Sequence, residues 1–249
     1  MKMFYGIALL VLLSAVQASD PDSYVVIEST VCGNCKYFNN KDISHLLGFS
    51  GYQTVVKTYL VPHAHVSEKK DSNGNYYYEH MFGEQYMQKA YYQFCANHLY
   101  DDQDGSALKW ATKASYATSG YEAIAATVFA DKGAAVIACV NDASQRNEFA
   151  RADRLIYNKN RFSGRLPFVV NQKDRSLLQN LFSKRYLQLV CDLRDDRDNQ
   201  AVCQACKNDK LKFLDEKIVP GIEIADEETI TETSTESFDY EKFWNTYDD

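Results

Sequence analysis

Three observations predict an α/β protein. A β-type run, Tyr24-Val25-Val26-Ile27-Glu28-Ser29-Thr30-Val31, stops at Cys32-Gly33-Asn34-Cys35, and Lys36-Tyr37-Phe38 continues as a helix. A second run rich in β-branched and aromatic residues, Tyr52–Pro62, follows that helix; strand, helix and strand at this spacing make a parallel pair with a right-handed crossover. Much farther on, Arg165-Leu166-Pro167-Phe168-Val169-Val170-Asn171 puts a proline at the entrance of a third β run, where its missing N–H takes nothing from the ladder. The helical rhythm of residues 83–160 separates the two sheet-forming halves and reads as an inserted helical subdomain.

The elements follow in order. Residues 1–18 read as a secretory signal: Lys2 gives the positive start, Phe4–Val16 an apolar core too short to cross a bilayer, and Val16-Gln17-Ala18 a small-residue cleavage site ahead of Ser19. No later stretch is expected to span a membrane, so the product is expected to be soluble and either lysosomal or secreted. Residues 19–82 form the first sheet half, with a helix from Cys32 to about Leu47. His63 and His65 follow the second strand; solvated loop histidines are the simpler reading, and a base near the dithiol or a metal pair the alternative. Lys69–Asn75 is a polar turn, and Tyr76-Tyr77-Tyr78 an edge strand.

Within 83–160, Tyr86, Ala90, Tyr91, Phe94, Cys95 and Leu99 keep a 3.6-residue rhythm, and helices follow at Ser106–Ala117, Gly120–Phe129, Ala134–Val140 and Asp142–Tyr157, the last capped by Asn141 or Asp142. This aromatic stripe is read as core before substrate groove. Residues 161–193 return to the sheet and add an amphipathic helix, Asp174–Cys191, with Leu177, Leu178, Leu181, Arg185 and Leu189 in phase. Residues 192–199 read as a charged linker, and 194–221 as a Cys-containing linker or helix holding Cys203-Gln204-Ala205-Cys206, read as a local structural disulfide. Residues 222–249 carry ten acidic side chains against Lys242 alone; this Ser/Thr-rich tail is expected to be disordered, with Phe238, Tyr240, Phe243 and Trp244 as docking anchors. The chain's net charge of −7 therefore sits in the tail, and the nearly neutral remainder has no basic stripe for nucleic acid.

The chemistry concentrates at Cys32 and Cys35. A first cysteine at a strand-to-helix junction meets unpaired backbone N–H groups and the positive end of the helix dipole, which favour a thiolate. Cys35, one helical turn on, stands where it can attack a mixed disulfide at Cys32. The same spacing also serves structural disulfides and zinc sites; haem attachment is excluded because residue 36 is Lys, not His. Seven cysteines in an oxidising compartment leave one over, and the spread-out Cys95, Cys139 and Cys191 are expected to supply it. A zinc site shared by Cys32, Cys35, Cys203 and Cys206 is disfavoured by the long separation of the two pairs.

Taken together, the signal, the strand into Cys32-Gly33-Asn34-Cys35, Val61-Pro62, the Gly83-Glu84…Cys95 helix, Cys139, Leu166-Pro167-Phe168-Val169 and Leu189-Val190-Cys191 resemble the gamma-interferon-inducible lysosomal thiol reductase family over roughly Tyr24–Leu193. The resemblance implies a thioredoxin-like fold with an inserted helical subdomain, a cis Leu166–Pro167 bond beside the dithiol, and reduction of protein disulfides with Cys32 attacking and Cys35 resolving. Leu166 and Pro167 would align the substrate chain, with Gly33 and Asn34 beside it. Disulfide-containing proteins would be the substrates and a small thiol or dithiol the electron donor; no cofactor and no metal are expected. Where the family carries C-Q-H-G-x-x-x-C, this chain has His80-Met81-Phe82-Gly83-Glu84-Gln85-Tyr86-Met87, so both signature cysteines are absent together, and no N-x-S/T glycosylation site occurs. Two further readings use the same residues: a secreted binding or structural domain with a permanent Cys32–Cys35 disulfide, and an oxidase or isomerase.

Overall fold

A computed structural model describes residues 20–74, 76–99, 105–158, 166–178, 181 and 184–208. The leader expected at 1–18 and the acidic tail at 222–249 lie outside the described residues.

The centre is β1 (Asp22–Ser29), where Tyr24, Val25, Val26 and Ile27 are all fully buried. Side chains alternate across a strand, so a continuous apolar run means that both faces are covered. Val25 and Ile27 pack with Val61, Phe94, Trp110 and Phe149 on one face; Tyr24 and Val26 pack with Phe38, Leu46, Tyr186 and Val190 on the other. β1 runs parallel to β2 (Val56–His63) and antiparallel to β5 (Phe168–Asn171), in the order β2-β1-β5. β2 starts later than predicted because Tyr52–Thr54 closes a 3-10 turn. Pro62 is tolerated because β2 is an edge strand.

The crossover from β1 to β2 is largely helical: α1 (Gly33–Phe38), a π-helical stretch Asn39–Ile43 and α2 (Ser44–Leu47). A separate hairpin follows, β3 (Val66–Lys70) with β4 (Tyr76–His80). Lys69 and Lys70 belong to β3 rather than to the turn, which is set by Asp71 accepting from Asn73 N and by Gly74 at φ 84.

The insertion comprises α3 (Glu84–Leu99), α4 (Ser106–Ala114), α5 (Tyr121–Phe129), α6 (Gly133–Asn141) and α7 (Ala143–Asn158), with Asp142 Oδ1 capping α7 through Ser144 N at 2.7 Å. Its aromatic residues Tyr92, Tyr121 and Phe129 pack around Trp110 as core, Phe129 stacked and Tyr121 edge-on. Contrary to expectation, Tyr121–Asn141 is helical, long and apolar enough to cross a membrane by length and composition. It is not straight. Residues seven apart in a helix stand about 10 Å apart, yet a Cβ on Gly133 would lie 3.1 Å from Ala126 Cα, so α6 folds back onto α5 after the break at Ala130. The Cys95–Cys139 disulfide, Cα–Cα 5.9 Å, joins α3 to α6.

The last segment corrects the sequence reading most. The amphipathic helix expected at Asp174–Cys191 is confined to α8 (Tyr186–Leu193). Ahead of it the chain doubles back on β5: Asn171 N donates to Ser176 O at 2.9 Å and Leu178 N to Val169 O at 2.8 Å, with an isolated bridge between Val170 and Leu177. Backbone groups spent on strand pairing cannot build a helix, and the Asp174 carboxylate accepting from Ser176 N fixes the turn. The cysteine pairing also differs. α9 (Ala201–Asn208) packs on α8, bringing Cys203 to Cys191 at a Cα–Cα of 5.5 Å, so the disulfide is Cys191–Cys203 and Cys206 stands in neither bridge. Cys95, Cys139 and Cys191 are thus all paired. The supposed charged linker carries a core arginine: Arg194, 6% exposed, binds Asp22, Asp196 and Val55 O.

Candidate active site

The end of β1 turns into α1 through Cys32 N, which donates to Ser29 O at 3.1 Å. Cys32 is the N-cap of α1, with extended φ −75 and ψ 123, and its Sγ accepts from Cys35 N at 3.3 Å. A sulfur here takes the place of the usual capping oxygen. It is half-buried and lies 3.6 Å from Leu166 O, and the Leu166–Pro167 bond that follows is cis. Four of the residues singled out in the sequence therefore meet: Cys32, Cys35, Leu166 and the buried Pro167. Gly33 and Asn34 are exposed as the first two residues of α1.

The two thiols are unequal. The Cys35 thiol hydrogen-bonds to Cys32 and, together with the N–H groups of Cys35 and Asn34 and the charge of Lys36, lowers the Cys32 pKa to about 6 against the opposing effect of burial. That hydrogen bond and burial push Cys35, 1% exposed, upward. The surroundings thus shift the two thiols in opposite directions, Cys32 down and Cys35 up.

Cys35 faces polar groups that sequence reading did not single out. Glu28, 6% exposed, accepts from Asn39 Nδ2 at 2.5 Å, and burial raises its pKa to about 7 against the favourable charge of Lys89. Its charge is one of the influences that raise Cys35. Lys89, buried on α3, donates to Ser115 O at 3.0 Å, and burial lowers its pKa to about 8. A signal for Glu28 existed, an acidic residue directly after the apolar run Tyr24–Ile27. None existed for Lys89, whose helix position alone does not say which way it faces.

Of the two histidines expected in solvent, His63 is buried and His65 half-buried. His63 is the last residue of β2, 7% exposed, and its Nδ1 lies 2.8 Å from Asp153 Oδ1 of α7. The His63 and His65 ring centroids are 4.1 Å apart, and His65 Nε2 lies 2.9 Å from Ser29 Oγ. Burial lowers the His65 pKa to about 4, with nearby His63 and His80 in the same direction and Asp153 opposing. His80, also lowered by burial, accepts from Phe82 N at 2.8 Å. Among the described residues no three His, Cys, Asp or Glu side chains are grouped to hold a metal ion.

The chain matches no protein-family model and no curated protein sequence.

Proposed function

We propose that this chain is a thiol–disulfide oxidoreductase that reduces protein disulfides through Cys32 and Cys35. The observation that carries the reading is the asymmetry of the pair: a half-buried Cys32 with a pKa of about 6 at a helix N-cap, against a buried Cys35 held protonated. At pH 5 about a tenth of Cys32 is thiolate, far more than an ordinary thiol supplies. The Cys32 thiolate attacks one sulfur of a substrate disulfide; a Cys32–substrate bond forms, the substrate bond breaks and its other sulfur leaves as a thiol. Cys35 then attacks Cys32, the Cys32–Cys35 bond forms and the second substrate sulfur departs. The proton that Cys35 loses goes to the departing substrate sulfur. A small thiol donor restores the dithiol.

The order β2-β1-β5, the helical crossover and the proline entering β5 beside the dithiol fit a thioredoxin-like fold with the helical block α3–α7 inserted. Leu166 O, 3.6 Å from the Cys32 sulfur, is the backbone acceptor against which an extended substrate would align. The resemblance to the gamma-interferon-inducible lysosomal thiol reductase family supports the same reaction, and the leader expected at 1–18 fits a lysosomal or secreted site of action. The purified protein is expected to reduce insulin disulfides with a small thiol donor at acidic and neutral pH, and Cys32→Ser to lose that activity. Equal rates in wild type and variant would rule the reading out.

A further inference from the structure

Ser29 touches the dithiol with two of its groups and braces the turn into it with a third. Its C=O accepts from Cys32 N at 3.1 Å, its N–H donates to Cys35 Sγ at 3.4 Å, and its Oγ accepts from Val31 N at 3.4 Å within the same turn. Ser29 closes the β1 ladder opposite His63 of β2. Its side chain is anchored from outside the β1–α1 unit, by His65 Nε2 at 2.9 Å from its hydroxyl.

His65 is itself built into place. It sits between β2 and β3 at φ 54, the left-handed region that non-glycine residues seldom occupy. The Asp153 carboxylate clamps both flanks of that bend, accepting from Ala64 N at 2.6 Å and Val66 N at 2.8 Å, and holds the His63 ring at 2.8 Å. The Phe82 ring closes the outer side edge-on at 5.4 Å. An uncommon backbone conformation clamped this heavily is typical of sites where a side chain must be aimed.

We propose that His65 is a positioning residue for the resolving cysteine, acting through Ser29 to keep the Ser29 N–H on the Cys35 sulfur. The proposal rests on the dithiol reading given above. In the resolving step Cys35 loses its proton, its sulfur bonds to Cys32, the Cys32–substrate bond breaks and the departing sulfur takes up a proton. Negative charge therefore develops on Cys35, and a hydrogen bond to a developing anion is stronger than one to the resting thiol. The first attack, by Cys32, places no charge on Cys35, so His65 should matter to the second step and not the first. The insertion is thereby coupled to the chemistry: Asp153 of α7 sets His65, His65 sets Ser29, and Ser29 serves Cys35.

The test separates the two steps. Reduced protein is mixed with an aromatic disulfide whose leaving thiolate is coloured, so that Cys32 attack releases one equivalent and Cys35 resolution a second. His65→Phe is expected to slow the second phase about tenfold, the worth of one hydrogen bond, and to leave the first within about twofold. His65→Gln, which keeps a side-chain hydrogen-bonding group, should recover most of that loss. Ser29→Ala should reproduce the slowing, and adding it to His65→Phe should slow the phase little further. Equal slowing of both phases, no slowing, or an additive double variant would overturn the proposal. A wild type that releases both equivalents but reduces no insulin would tell against the reductase reading and leave the role of His65 standing; one that releases a single equivalent would sink both.

Discussion

Cys32-Gly33-Asn34-Cys35 and Cys203-Gln204-Ala205-Cys206 share a spacing but not a setting. The first straddles the start of α1, with Cys32 capping the helix and its sulfur reaching Leu166 O across the molecule. The second lies wholly within α9, so neither of its cysteines is the helix N-cap, and Cys203 is bridged to Cys191 of α8. A helix N-terminus stabilises a thiolate, whereas a cysteine facing a neighbouring helix at 5.5 Å between Cα atoms is suited to a lasting bridge. Spacing therefore selects candidates, and the structural position of the first cysteine decides between redox and scaffold.

The largest expected effect separates the two pairs outright. Cys35→Ser should accumulate mixed disulfides at Cys32, visible as added mass on the intact protein, while Cys206→Ser should form none and keep insulin turnover within about twofold. Trapped adducts in both variants would erase the contrast. Next comes stability. Chain-entropy arguments give about 4 kcal/mol for Cys95–Cys139, which closes 44 residues, and about 3 kcal/mol for Cys191–Cys203, which closes 12. Urea unfolding of Cys95→Ala and Cys191→Ala should show losses in that order, and Cys32→Ser should show neither.

Glu28 sharpens the comparison through pH. Its folded pKa, about 7, lies above the ordinary 4.5, so its neutral form stabilises the fold fully below pH 4.5 and that contribution is lost as pH rises through 7. The amount is about 3 kcal/mol. Glu28→Gln, neutral at every pH, should remove this loss, and the stability of wild type relative to the variant should fall between pH 4.5 and 7; parallel curves would show that Glu28 is not held neutral. The smallest effect belongs to Gly33, where a Cβ would meet nothing within 4 Å and no positive φ is required. Gly33→Ala should change stability by less than about 1 kcal/mol, read as an unchanged denaturation midpoint.

Much of the sheet was legible in the sequence because its signals are local. The apolar run into Cys32, the proline at the head of β5 and the helical rhythm of the insertion each depend on neighbours within a turn or a strand. The final segment was not. Leu177, Leu178 and Leu181 fit a helical phase as well as an extended one, and pairing of Leu178 N with Val169 O decides between them. Cysteine connectivity failed for the same reason, since Cys191 meets Cys203 only through the packing of α8 on α9. The site followed this division. Cys32, Cys35, Leu166 and Pro167 could be named from motifs, but Ser29, Lys89 and Asp153 come from residues whose facing is set by tertiary packing, and His63 and His65, expected in solvent, are drawn inward by Asp153 on α7.

The most direct measurement is the pH dependence of alkylation at each cysteine of the mildly reduced native protein, mapped by mass spectrometry. Cys32 should react first with a midpoint near pH 6, while Cys35 and Cys206 stay protected until the protein unfolds. A Cys32 midpoint near that of an ordinary thiol, about 8.5, or labelling of Cys206 ahead of Cys32, would contradict the division of one spacing into a reactive dithiol and a structural bridge.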